Sequence, residues 1–190
     1  MSFSVKEMYK RNTPIFTRPK GFLNFLVYLV IFLGCLVFLM SMSPKYLIGK
    51  HFVWMIWILM MSYTIYPLYK INPVLFEMIK VQTFIILCLF TALTFWKPHL
   101  ISLRWGTTLL SFLLGLIIIR VIMLFFPKQK MLNYILSYFS VVFFSIFLLY
   151  DTKILMKKAK ECVRADYIND SLGVVLDGLN IFSNLFRTHD

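Results

Sequence analysis

Long apolar runs broken by short polar clusters set the pattern of this chain. Residues 21–43, 52–69, 81–96, 100–126, 132–150 and 171–186 form six such runs. A helix needs about 20 apolar residues to cross the hydrocarbon core of a bilayer. Residues 81–96 and 171–186 hold only 16 positions each and need flanking residues or burial in a bundle. The runs are continuous, whereas a membrane β-barrel requires alternating polarity. Pro44, Pro67, Pro73, Pro98 and Pro127 fall at or near run ends, where a missing N–H does little harm. The pattern predicts an all-α polytopic membrane protein. A basic tail over residues 1–20 precedes one transmembrane helical domain over residues 21–190.

Within the last run, polarity is organised. Gly173, Asp177, Asn180 and Asn184 recur at spacings of four, three and four, so they form one stripe along a helix. Val175, Leu179 and Phe182 occupy the other face, with Leu172 and Phe186 nearby. A helix with a small and polar seam faces other helices or water there, not lipid. The last helix is therefore predicted to be the enclosed one. Asp177 is the only acidic residue well inside any run, and a carboxylate in hydrocarbon costs several kcal/mol, on the order of 3. Asp151 ends the preceding run. Two carboxylates brought together could share a proton and respond to pH. Asn180 and Asn184 form the supporting polar face, with helix-to-helix hydrogen bonding as their simpler role.

Composition and charge sharpen this picture. The 190 residues are 60% hydrophobic and 15% charged, beyond what a soluble domain of this size can bury. The net charge of +12 lies mainly in tails and loops, where it sets orientation and meets anionic headgroups. The basic residues are scattered and no nucleic-acid motif is present, so no nucleic-acid partner is expected. Lys6, Lys10, Arg11, Arg18 and Lys20 precede the first run, which is too long for a cleaved signal. Cys35, Cys88 and Cys162 lie far apart, and His51, His99 and His189 sit at run edges or beside the C-terminus. They support no metal site, disulfide framework or cofactor, and no nucleophile–base pair suggests an enzyme. Arg120 lies inside the fourth run, nearer its end than its start. It either snorkels to the interface or pairs with one of the aspartates. The stretch from Ile154 to Val163 continues the fifth helix, and Asn169, Asp170 and Ser171 offer capping oxygens for the last.

These residues carry a resemblance. The run from Ser145 through Tyr150-Asp151-Thr152-Lys153 resembles the sixth-helix signature of the transmembrane Bax inhibitor motif family. Asp166-Tyr167-Ile168-Asn169 and the segment from Val175-Leu176-Asp177 through Asn180-Ile181-Phe182 are similar to its last helix. The residues from Trp105-Gly106 to Ile118 resemble its fifth. The resemblance implies a seven-helix bundle around a central last helix, whereas the chain shows six runs, so a bundle of six to seven helices is expected. It also implies pH-sensitive calcium leak across an intracellular or bacterial membrane, and restraint of cell death. It places the titrating pair on Asp151 and Asp177, with calcium as transported ion. The family's second-helix arginine has no counterpart here, since no arginine lies between Lys20 and Arg104. Lys70, Arg104 or Arg120 would have to substitute as the basic partner.

The charge rule would put the basic tail and the basic segment of residues 152–169 on the same side. Five runs between them put the two on opposite sides, which calls either for a further short or re-entrant span near residues 71–96 or for one basic segment on the other side. A different class of function is a structural membrane protein without transport activity. It would be anchored through its basic tail to protein neighbours in a large assembly such as a membrane-containing virus particle. The two readings imply an endomembrane, ER- or Golgi-like, and a viral inner membrane respectively.

Overall fold

The computed structural model describes residues 22–125, 130–161 and 166–189. Among them the chain is all-α, as the apolar runs predict. Six helices follow in order: α1 Phe22–Ser41, α2 Leu47–Ile71, α3 Pro73–Trp96, α4 Gly106–Phe125, α5 Lys130–Glu161 and α6 Tyr167–His189. Two 3-10 turns, Pro98–Leu100 and Leu103–Trp105, lead into α4. Four segments are long and apolar enough to cross a membrane: α2, α3, α5 and the stretch Pro98–Met123 that contains most of α4. The tail of residues 1–20, Cys162 and Pro127 lie outside the described residues, and with the tail lies its expected contact with protein neighbours.

Local chemistry moved several helix ends. Pro67 sits inside α2 rather than at its end. The stop comes at Asn72, whose extended backbone suits a residue before proline. The Asn72 Oδ1 accepts from the Leu75 N–H at 3.0 Å, and Pro73 takes the first helical position. Thus α3 starts at residue 73 and runs for 24 residues rather than 16. Residues 73–96 hold one helix, so the extra span allowed for there is absent. Glu77 and Lys80, in the polar gap between the second and third runs, lie early in α3 and form an ion pair. The last helix is likewise longer, 23 residues, because its cap differs from the one expected. Asp166, not Asn169 to Ser171, supplies the capping oxygen, with Oδ1 accepting from the Asn169 N–H at 3.3 Å. The extension of α5 beyond residue 150 is present through Glu161.

The chain divides into two compact units, Met1–Phe76 with Arg164–Asn169, and Glu77–Val163 with Asp170–Asp190. In the first, α1 and α2 pack through rings and one hydroxyl cluster. Phe32 stacks on Trp57 at 5.9 Å, and Tyr28 meets Tyr63 at 5.3 Å. The Tyr28 hydroxyl donates to the Met60 carbonyl at 2.6 Å and lies 2.7 Å from Thr64 Oγ1. A buried cation closes this unit. Lys50, 1% exposed, donates to the Met42 carbonyl at 3.0 Å and to Asp166 Oδ2 at 2.5 Å. Asn169 adds a bond from Nδ2 to the Met40 carbonyl at 3.0 Å. The short segment before α6 is thereby tied to the α1–α2 turn.

In the second unit, apolar clusters join α4, α5 and α6. Leu109, Leu116 and Met123 of α4 pack with Leu136 and Phe143 of α5. Phe144 and Leu148 of α5 pack with Ile181 of α6, and Leu87 and Phe90 of α3 lie against that group. The last helix has its apolar face buried at Leu172, Phe182 and Phe186 and its polar seam buried at Asp177 and Asn184. Its only exposed described positions are Tyr167, Arg187 and His189. The enclosed last helix expected from the seam is present. Gly178 makes this closeness possible, since a Cβ there would press on Leu87 of α3.

Candidate functional site: an acidic pair at the inner helix

Four consecutive residues of α5 bind this helix to its surroundings. Tyr150 lays its hydroxyl against Gly106 at the start of α4. Asp151 lays its carboxyl against Gly173 on α6. Thr152 is buried. Lys153 donates to the carbonyls of Pro98, at 2.7 Å, and Ile101. The two 3-10 turns leave carbonyls free of helical bonding, and Lys153, reaching from α5, satisfies two of them. Tyr150-Asp151-Thr152-Lys153 is thus a junction between helices as well as a motif.

Gly173 lies one helical turn before Asp177, so the seat of Asp151 is on the aspartate's own seam. The Asp177 side chain is buried at 5% exposure, and its Oδ2 has no hydrogen-bond partner among the described residues. Asp151 is half-buried and near enough to act on Asp177 through its charge. Neither carboxyl forms an ion pair or bonds to the other among the described residues. They are field-coupled neighbours rather than a hydrogen-bonded pair. A buried polar oxygen without a partner is uncommon and marks a place where a proton, water or cation has something to do.

Asn180 and Asn184 continue the seam. The Asn184 Nδ2 donates back to the Asn180 carbonyl at 2.8 Å. Its Oδ1 accepts from Arg120 Nη2 at 2.7 Å, and the same nitrogen donates to Ser137 Oγ at 3.1 Å. Arg120 therefore neither snorkels alone nor pairs with an aspartate; a buried amide and a hydroxyl hold it. Arg104 lies in the turn before α4 and makes no ion pair with either aspartate among the described residues. Lys70 sits in the last turn of α2. The amide role of Asn184 was legible from the seam. Its partner was not, because Arg120 and Asn184 are 64 positions apart. The seat of Asp151 carried a weak signal, a glycine one turn before a buried acid.

One prediction follows from that seat. A Cβ at Gly173 would collide with the Asp151 carboxyl. Gly173→Ala is expected to swing that carboxyl aside while the helix survives. Alanine is the better helix former by up to about 1 kcal/mol, which offsets the repacking. The readout is a changed pH midpoint of the Asp177 carboxyl band in infrared spectra, with thermal unfolding little altered. An unmoved band would mean that Asp151 does not act on Asp177.

A helical chain with several apolar segments of spanning length and an acidic group enclosed at its last helix is an integral, multi-pass membrane protein. A family model described as "Inhibitor of apoptosis-promoting Bax1" matches residues 3–188. The match covers nearly the whole chain, and the chain belongs to this Bax inhibitor family. No curated protein and no solved structure gives a significant match.

Proposed function

We propose that this Bax-inhibitor-family protein is a pH-sensitive calcium leak path, with Asp151 and Asp177 as the titrating pair. The observation that carries the reading is the buried Asp177 carboxyl, with an unpartnered oxygen and a second carboxyl within its field. With at least one carboxyl protonated, α6 packs closely against its neighbours. When both ionise, mutual repulsion loosens the inner helix and gives a passing cation two negative oxygens. Calcium takes about 6–8 oxygen ligands when held tightly. Two carboxylates and the Asn180 amide are too few for storage and suit passage.

Flux is therefore expected to rise as pH rises. Calcium release from an internal store is the route by which such a leak would restrain cell death, and an endomembrane is the matching location. The test is calcium efflux from liposomes carrying the purified chain, followed with an external dye from mildly acidic to mildly alkaline pH. Efflux above that of empty liposomes, increasing with pH, supports the reading. Efflux equal to that of empty liposomes at every pH would leave a scaffold without transport.

A further inference from the structure

A second site lies on the same unit, beyond the aspartates along the inner helix. An open cleft of about 1240 Å³ is walled by α4, α5 and α6. Arg120, Lys130 and Arg187 line it, and no carboxylate among the described residues does. Arg120 and Arg187 are near enough for their charges to repel. Of the five guanidinium N–H groups, the bonds to Ser137 and Asn184 use the two on Nη2. The three on Nε and Nη1 have no partner among the described residues. Asn184, itself buried, fixes the fork so that these donors are presented rather than mobile. Two cations that repel, one of them fixed beside unused donors, call for an anion.

Depth says which anion. Arg120 is five positions from the end of α4, about 8 Å of rise, while Lys130 opens α5 and Arg187 falls in the last turn of α6. All three cations therefore lie toward helix ends, Arg120 the deepest of them, where a headgroup phosphate could reach them. Leu113, Leu116 and Phe144 line the same cleft. Leu113 is some 18 Å from the end of α4, at acyl-chain depth. A free phosphate ion would gain nothing from that apolar wall, and calcium would be repelled by the mouth. A lipid with an anionic phosphate headgroup matches both ends.

We infer that the cleft between α4, α5 and α6 is a binding site for an anionic phospholipid. The phosphate is held by Arg120, Lys130 and Arg187, and an acyl chain lies along Leu113, Leu116 and Phe144. The site stands independently of the calcium reading.

The test is native mass spectrometry of the full chain in detergent, titrated with phosphatidylglycerol, with phosphatidylcholine and with inorganic phosphate. Phosphatidylglycerol is expected to stay bound at concentrations where phosphatidylcholine does not. Inorganic phosphate is expected not to displace it. The double variant Lys130→Gln/Arg187→Gln changes two exposed side chains and leaves the Arg120–Asn184 bond intact. It should weaken phosphatidylglycerol binding roughly tenfold or more. Arg120→Gln should weaken it further, and if that chain fails to fold, the double variant still decides. Equal retention of the two lipids, or unchanged affinity in the double variant, overturns the site. Displacement by inorganic phosphate overturns the lipid assignment in favour of a free anion.

Discussion

In liposomes, the Asp177→Asn chain is expected to lose the pH dependence of calcium efflux. Asparagine is nearly isosteric with aspartate and cannot ionise, so the enclosed helix keeps its packing while the titration disappears. The effect should be large because Asp177 is the buried member of the pair, with an oxygen that no group among the described residues satisfies. Asp151 is only half-buried and rests on Gly173. Asp151→Asn is therefore expected to shift the midpoint and shrink the response without removing it. The sign follows from the pair's charge. On the proposed reading, raising pH adds negative charge between α5 and α6 and opens the path, so the unaltered chain is expected to leak more at alkaline pH. Asp177→Asn should hold the low-pH rate throughout. A variant that responds to pH as the unaltered chain does would rule Asp177 out as the sensor, even if the protein leaks calcium.

The second large effect is on stability, at Lys50 and Asp166. Lys50 is buried at 1% exposure, and Asp166 is its only carboxylate partner among the described residues. Removing one member of a buried ion pair leaves the other charge uncompensated and costs about 3–5 kcal/mol. Asp166→Asn should therefore lower the thermal unfolding temperature in detergent substantially. Asp166→Ala should cost about 1 kcal/mol more and lower that temperature further, since it also removes the cap on the Asn169 N–H. Asparagine can still cap and alanine cannot. Lys50→Met combined with Asp166→Asn should recover most of the loss, because no buried charge then remains. If the double variant is no more stable than Asp166→Asn alone, Lys50 is sustained by the Met42 carbonyl and not by the pair.

Asp177 and the two asparagines of the seam were readable from the chain because a helix repeats every 3.6 residues, and Asp151 was marked by its place at the end of the preceding run. A polar residue every three or four positions in an apolar run can only make one stripe. The same rule announced the enclosed last helix. Boundaries were less legible. The start of α3 was hidden because Glu77 and Lys80 look like a polar junction, whereas their spacing of three pairs them on one helix face. The start of α6 was displaced because three capping residues stand together in Asn169-Asp170-Ser171. Asp166, a turn earlier, was already committed to Lys50, and the cap followed the ion pair.

The basic partners were the least legible. Arg120 was rightly noticed as a cation at depth, and an aspartate was the obvious mate by charge. The fold gave it an amide and a hydroxyl instead, which leaves its charge uncancelled and turns it toward a cleft. No sequence spacing relates Arg120 to Arg187 or Lys50 to Asp166, since each pair joins separate helices or segments.

From the chain by itself came the class, the membrane-length helices, the enclosed last helix and the identity of the two acids. These rest on local periodicity and on the cost of placing charge in hydrocarbon, both written in neighbouring residues. Only the tertiary structure decided which groups the charges meet. Asp151 sits on a glycine of α6, Lys50 closes on Asp166, and Arg120 answers to Asn184. Such pairings depend on which helices come side by side, and contacts between residues far apart in the chain leave no mark on local spacing.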